Sequence, residues 1–360
     1  MAAKRARGRG ERGAALLLVV LLISLLAMVV IEFQRRAGGE LQAARNLRDS
    51  VQGHALSRSG LVVAKVLLLE DASDPAHSSY DGRDEFWNQV DLPVPLNDPT
   101  GRFRANVQRV EDLDGKFPLG ALVDKQGIPQ PKIAAAYERF LNALDQHLKD
   151  TPGGPVDILD QVNIPDLVDA LVDWIDADDQ GAFEDNAEFT VPNAPLTHLE
   201  NLQRIEGYER VPEGFTHSVA EAILPYVDTR ATAEVNMNTA QVPVLVATHP
   251  GIAYADAIDL FEDLGENPDT TKFDPKAHSS ISGISVSQFD LTPKIVSERF
   301  LVRLLVMVSD VESYSEAIVV RTNTDVLTEQ WREGWMMPQW RPAFVDPPQA
   351  TGFLGLPGGL

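Results

Sequence analysis

Lys4-Arg5-Ala6-Arg7-Gly8-Arg9-Gly10-Glu11-Arg12-Gly13 runs without a break into an apolar stretch, Ala14 to Ile31, in which Ser24 is the single polar residue. At about 1.5 Å of rise per residue this stretch is roughly 27 Å long as a helix, enough to cross the hydrocarbon core of a bilayer. Helical character continues beyond it. No proline occurs before Pro75, and Leu41, Ala44, Leu47, Val51 and Ala55 recur at three- and four-residue intervals, followed by Leu61-Val62-Val63 and Val66-Leu67-Leu68. The spacing predicts one helix from about Ala14 to Leu69, with Gly38-Gly39 and Gly60 as soft points, whose outer half must pack its stripe against a sheet or a neighbouring helix. Basic residues ahead of the apolar run favour a cytoplasmic N-terminus and place everything after Ile31 outside. A cleaved secretory signal fits poorly, because the run is long and Glu32-Phe33-Gln34-Arg35-Arg36 is no small-x-small cleavage site. A plain single-pass anchor is the stronger rival.

Working outward from that helix, residues 71–100 read as loop, with Pro75, Pro93, Pro95 and Pro99. Residues 101–110, Gly-Arg-Phe-Arg-Ala-Asn-Val-Gln-Arg-Val, alternate as a strand, and Asp112, Asp114 and Gly115 make a turn. Helices are expected over 132–150, 164–175, 220–226, 239–247 and 255–264, and strands over 300–308 and 315–322. This order predicts an α+β fold: an early strand, a block of helices, then strands that close the sheet the early strand began. The domain reading is a basic leader (1–13), a transmembrane and amphipathic helix (14–70), the first part of an α/β domain (71–118), an inserted helical domain (119–290), closing strands (291–335) and a loose Pro/Gly-rich tail (336–360).

The formal charge of −22 suits soluble or cation-binding surfaces and opposes nucleic acid. With no cysteine in the chain, disulfides and thiolate chemistry are excluded. The seven histidines, His54, His77, His147, His198, His217, His249 and His278, show no paired ligand spacing, and no G-x-S-x-G elbow or phosphate loop occurs. The reading is therefore not an enzyme.

The densest polar cluster runs from Asp173 to Glu188. Carboxylates, amide oxygens and a glycine turn suit a hard cation such as Ca²⁺, which takes six to eight oxygens. Asp176, Asp178, Gln180 and Gly181 match the opening of an EF-hand loop, but its twelfth position is Ala187 and Glu188 comes one residue late. An irregular calcium loop and a solvated acidic loop capping the preceding helix both remain open. So many carboxylates in one place repel unless a cation neutralises them. A second motif, Asn236-Met237-Asn238-Thr239-Ala240 with His249-Pro250-Gly251-Ile252, resembles the start of a helix-hairpin-helix unit, with Asn238 or Thr239 as the helix cap. Ala253 replaces the second glycine, and the next helix carries Asp256, Asp259, Glu262 and Asp263, so this unit reads as scaffold with no nucleic acid.

Arg12-Gly13-Ala14-Ala15-Leu16-Leu17-Leu18 resembles a prepilin-peptidase site, cut between Gly13 and Ala14. The fifth residue after that cut is Leu18, where most pilins carry a glutamate. With Leu171-Val172-Asp173-Trp174-Ile175-Asp176, Pro192-Asn193-Ala194-Pro195-Leu196 and Asn236-Met237-Asn238-Thr239 in this order, the chain resembles the type II secretion system protein K family of minor pseudopilins over roughly 12–322. The resemblance implies a pilin-like α/β domain with a large inserted all-helical domain. It further implies a role at the tip of the periplasmic pseudopilus, made with minor pseudopilins I and J and helping assembly to start. The prepilin peptidase, the inner-membrane assembly platform and the lipid bilayer would be its other partners. It also implies calcium in the acidic region, with Asp173, Asp176, Asp178, Asp179, Glu184 and Asp185 as candidate ligands. The alternatives are a minor pilin of a type IV or competence system and a membrane-anchored periplasmic binding protein.

Overall fold

The structure, a computed structural model, describes residues 9–74, 78–88, 92–93, 102–151, 158–184, 191–213, 217–266, 272–274, 288–309, 311–322 and 324–333. The expected tail and candidate ligand Asp185 lie outside the described residues. Helix α1 (Arg9–Ser73) opens the chain as one element, four residues longer at its outer end than expected. It is followed by β1 (Leu92–Pro93), β2 (Phe103–Asp112), β3 (Phe117–Pro118), α2 (Pro131–Asp150), α3 (Ile164–Ile175), α4 (Val219–Ile223), β4 (Val227–Asp228) and β5 (Glu234–Asn236). Then come α5 (Val242–Thr248), α6 (Tyr254–Glu266), β6 (Thr292–Lys294), β7 (Arg299–Val308), β8 (Val311–Arg321) and β9 (Val326–Glu333).

The main sheet has the order β1-β2-β7-β8-β9 and its neighbours are antiparallel. Strand β7 alternates strictly: Phe300, Val302, Leu304, Val306 and Val308 are buried, and the residues between them are half-exposed. Its buried side meets α1, which turns Gly53, Ser57, Gly60, Leu61, Ala64 and Leu68 toward the sheet. Their three- and four-residue spacing makes one helical face, and the small residues in it let the helix lie close. Trp87 closes this core edge-on against Phe300, ring centroids 5.1 Å apart. Strand β9 was not foreseen as a separate strand. Leu-Thr-Glu-Gln at 327–330 does not alternate in hydropathy, because an edge strand with one face in water needs no apolar pattern there.

The described residues between β2 and β7 form a second body with its own core, in which α2, α3, α5 and α6 pack around Phe117, Tyr137, Phe140, Leu171 and Leu245. Alongside the helices it holds two short parallel ladders, β3 with β4 and β5 with β6. This body leaves and rejoins the sheet at adjacent strand ends, where Asp112 opposes Phe300 and the Leu113 N–H donates to Arg299 O at 3.0 Å.

The joint between the two bodies is polar. Asn236 is fully buried and donates to Asp81 O (3.2 Å), Asp112 Oδ2 (3.1 Å) and Ser297 Oγ (2.7 Å), while its own oxygen accepts from the Asn238 N–H at 3.0 Å. Asn238 donates to Asp81 O and accepts from the Phe273 N–H, and Thr239 donates to Asp112 Oδ2 at 2.5 Å. The expectation that Asn238 or Thr239 caps the next helix is thereby corrected. Gln241 precedes α5 without a side-chain cap, because both motif residues are engaged across the joint. Asp114 pairs with Arg230 and with Lys294 (2.6 Å); burial opposes its charge, but the two cations outweigh this and hold its pKa below the ordinary value. Asp112 is pushed up to about 6 by burial and by the neighbouring Asp114.

Asn236→Ala should strand several buried partners and destabilise the fold by about 2–4 kcal/mol. Chemical denaturation of the full chain in detergent checks this, with the exposed Asn46→Ala expected to change stability by less than about 0.5 kcal/mol.

Candidate metal centre

The acidic cluster is built on the end of α3. Its buried face carries Leu167, Val168, Ala170, Leu171 and Ile175, and Asp173 is turned to the same side. Asp173 is buried because the chain folds back onto it. The Phe183 N–H donates to Asp173 Oδ2 at 2.8 Å and the Ala182 N–H also points at this carboxylate. Gly181 lies so close that a Cβ there would sit 2.1 Å from it, so only glycine permits the approach. Burial raises the Asp173 pKa despite these donors. Its place is thus at the root of the loop, as the group around which residues 176–183 are wound.

Asp176 caps the helix C-terminus, its N–H donating to Val172 O at 2.9 Å. It is 2% exposed, it accepts the Asp178 N–H, and its Oδ1 has no hydrogen-bond partner. Burial pushes its pKa up to about 6, with Asp178, Asp173 and Glu184 adding to the shift in that order. Asp178 and Asp179 are exposed. Asp178 Oδ1 accepts the Gln180 N–H at 2.9 Å, and Asn193 Nδ2 clamps Asp178 O (2.7 Å) and Asp179 Oδ1 (2.8 Å). Asn193 does this from a left-handed conformation, φ 46°, which asparagine tolerates better than most residues. A tight turn elsewhere in the body supports the loop. Gly127, at φ 78°, accepts the Ala177 N–H at 3.0 Å, and a Cβ on it would lie 2.5 Å from that of Ala177.

The structure therefore brings Asp173, Asp176, Asp178 and Glu184 into electrostatic contact and sets Asp179 on the outer side, held by Asn193. Residues 151–190 contain eleven acids and no lysine or arginine, so the local chain offers no cation of its own. The donor set is all oxygen, and a deeply buried carboxylate oxygen is left without a donor. Both properties fit a hard divalent cation. Sequence reasoning missed Asn193 and Gly127: the Pro-Asn-Ala-Pro-Leu stretch was visible, but its contact with a loop some fifteen residues earlier was not.

Three carboxylates converge more closely elsewhere. Asp71, Asp81 and Glu85 bring oxygens within 4.8 Å of one another at the joint, but Arg321 is inserted there, with Nη1 3.1 Å from Asp71 and Nη2 2.5 Å from Asp81.

In the absence of divalent cations the Asp176 carboxyl should titrate near pH 6, and Asp178→Asn should lower that midpoint. Because the folded value is raised, the loop's stabilising contribution should be full below the ordinary aspartate value and fall as pH rises through about 6. Carboxyl NMR titration of the chelator-treated protein reads this directly.

No protein-family profile matches the chain. It is similar to the type II secretion system protein K of Pseudomonas aeruginosa, 27% identical over 249 residues, which cover 66% of this chain and 68% of that protein. It is also similar to the type II secretion system protein K of Aeromonas hydrophila, 25% identical over 339 residues, covering 87% and 94% of the two chains. The fold matches a chain in the crystal structure of the GspK-GspI-GspJ complex from the enterotoxigenic Escherichia coli type 2 secretion system, with a TM-score of 0.54, 16% identity, and coverage of 81% of this chain and 99% of that one. Long apolar helix, antiparallel sheet, inserted body and sequence likeness agree in making the chain similar to the type II secretion system protein K proteins.

Proposed function

We propose that the chain caps the tip of the periplasmic pseudopilus and helps its assembly start, in a complex with minor pseudopilins I and J. The observation that carries this reading is the division of α1 into two faces. One face is buried on the chain's own sheet. The opposite one, Leu41, Leu47, Val51, Val62 and Val66, is 53–67% exposed, and it continues the exposed apolar run Leu16 to Ile31. A membrane would cover the run and neighbouring pilin helices would cover the stripe. Tip placement is supported by where the inserted body is rooted. Asp71, near the outer end of α1, contacts Arg321 at the joint, so the body stands at the end of the helix farthest from the membrane run. Its bulk there would obstruct a subunit stacked above. Leu18, in place of the glutamate that would pair with a neighbour's amino terminus, fits a terminal subunit as well.

In this reading the leader is cytoplasmic, the prepilin peptidase cuts between Gly13 and Ala14, and the inner-membrane assembly platform receives the processed helix. Residues beyond Ile31 are periplasmic. Calcium would be held by Asp176 with neighbours among Asp173, Asp178, Asp179, Glu184 and Asp185. A bound ion supplies positive charge to the loop, stabilising only its folded form. The chain's own part is to wind the loop on Asp173, clamp it through Asn193 and exclude water from Asp176. The α5–α6 pair, with Asp256, Asp259, Glu262 and Asp263 on α6, offers no gain from phosphate and serves as scaffold.

Mass spectrometry of the protein made with and without prepilin peptidase should show a peptidase-dependent N-terminus at Ala14. An intact leader in both samples would exclude the pseudopilin assignment of this end. Calcium at about a hundred times its Kd should stabilise the full chain by roughly 2.7 kcal/mol. Chelator should reverse that gain, and Asp176→Ala should abolish it. A melting temperature indifferent to calcium would remove the metal while leaving the tip role standing.

A further inference from the structure

We propose that Arg48 sets the register of the outward face of α1: its guanidinium takes a carboxylate from an apolar helix of a neighbouring minor pseudopilin, and it bars the face from pairing with a second copy of this chain. This rests on the reading that pilin helices cover the face, and it specifies what the covering helix must carry. Residues 41, 44, 48, 51, 55, 59, 62 and 66 step by three or four, so they stand on one side of α1. All eight are exposed. Six of them are leucine, alanine or valine, which suit close packing of one helix on another, and a seventh is Ser59. Arg48 is the single charge in the row.

The surroundings hold that guanidinium ready for a partner. Arg48 Nε and Nη2 donate to Asp49 Oδ1 at 2.9 and 2.7 Å, and Arg102, just ahead of β2, brings Nη2 to 3.7 Å from the same oxygen. Arg102 is braced in turn by Ser309 Oγ, 3.2 Å from its Nη2. Two guanidinium groups thus share one carboxylate. The Asp49 side chain is 9% exposed, whereas those of Arg48 and Arg102 are 51% and 42% exposed, so the anion lies inside and the cations face out. Arg45, exposed about one turn earlier, adds a further positive charge. A neighbouring helix that covers the row takes Arg48 out of water. A guanidinium stays charged there, and burying it is costly unless a carboxylate meets it. Asp49 is already divided between two cations, so the covering helix must bring an acid of its own. Lipid headgroups are not its source. Arg48 lies about 25 Å beyond Ile31 along the helix, and the headgroup layer is only roughly 5–8 Å thick.

A lone polar residue in an apolar helix seam costs affinity and fixes register, because only one alignment satisfies it. It also selects against wrong partners. Two copies of this chain aligned in parallel would set Arg48 against Arg48, a like-charge contact in the middle of the seam. Without that charge the row could pair with itself through Val51, Ala55 and Val62. With it, the face is reserved for a helix that carries an acid at the matching level, which suits a subunit that occurs once, at a tip.

The test is co-purification of the tagged full chain with minor pseudopilins I and J of the same system, made together with prepilin peptidase and extracted in detergent. Wild type should recover both. Arg48→Glu should lower recovery of the subunit whose helix faces it by about tenfold or more, because one member of a buried charge pair is reversed. Arg104→Glu makes the same charge change on an exposed residue of β2 and should leave recovery unchanged. In the Arg48→Glu background, replacing each aspartate and glutamate of the partners' anchoring helices by lysine should restore recovery at one position. The chain has no cysteine, so Val51→Cys supplies a single thiol for oxidative cross-linking. With Arg48 in place it should give no homodimer, and with Arg48→Leu it should give one; this pair serves if Arg48→Glu does not fold. If wild type recovers neither partner, the tip reading fails and the role of Arg48 falls with it. If wild type recovers both and Arg48→Glu does so equally, if no lysine restores binding, or if Val51→Cys cross-links alike with Arg48 and with leucine there, the role of Arg48 is overturned while the tip reading stands.

Discussion

The antiparallel pairing of β2 with β7 is the constraint on which the rest of the molecule depends. The two strands are separated by the whole inserted body, yet they run side by side from Phe103 opposite Val308 to Asp112 opposite Phe300. Pairing across so long a gap is less costly than it looks, since loop-closure entropy rises by only about 0.6 kcal/mol per doubling of length. It requires that the gap begin and end at one place, and the Leu113 N–H to Arg299 O bond marks that place. A body with its own core can be accommodated there because its entry and exit are adjacent. Without this register the sheet would lack its central pair, and α1 would have no surface to cover with Leu61, Ala64 and Leu68.

The two bodies have separate apolar cores and meet through polar contacts. That choice has consequences for rigidity and for charge. Hydrogen-bonded joints hold a defined angle as long as every member is satisfied, and they are costly when one is not. Here Asn236, Asn238, Ser297, Asp81 and Asp112 satisfy one another across the joint. The chain carries two crowded acidic sites and resolves them differently. At the joint, Arg321 reaches in from β8. At the end of α3, residues 151–190 supply no lysine or arginine, and a buried Asp176 oxygen lacks a donor. One site receives its cation from the fold, while at the other the local chain supplies none.

Helix α1 links these features to an apolar run long enough to cross a membrane. It is a 65-residue element whose inner part is apolar all round, as a lipid-facing span must be, and whose outer part is apolar on two opposite sides. One side belongs to the chain's own sheet and the other faces outward. Ion pairs of Glu32 with Arg35 and Arg36 mark the point where the helix leaves the apolar run.

Local pattern made much of this legible. The anchor and its outward extension follow from an unbroken apolar run and a three-four repeat, because helical periodicity is a property of neighbours in sequence. Strands β7 and β8 declared themselves through alternation, and α2 and α3 through amphipathic spacing. The acidic loop was legible as a cluster of carboxylates because charge density needs no geometry to be seen. Tertiary structure alone decided what each motif does. Asn236, Asn238 and Thr239 read as a helix start, yet their partners Asp81, Asp112 and Ser297 lie far away in the chain, and a cap and a joint look the same in one dimension. Edge strand β9 has no apolar alternation to reveal it. Among the acids, only folding separates Asp173, satisfied by backbone N–H groups, from Asp176, whose buried oxygen is left without one. Sequence determines which residues are charged or apolar and how often they recur; burial and distance, which set pKa values and hydrogen-bond partners, exist only once the chain has closed on itself.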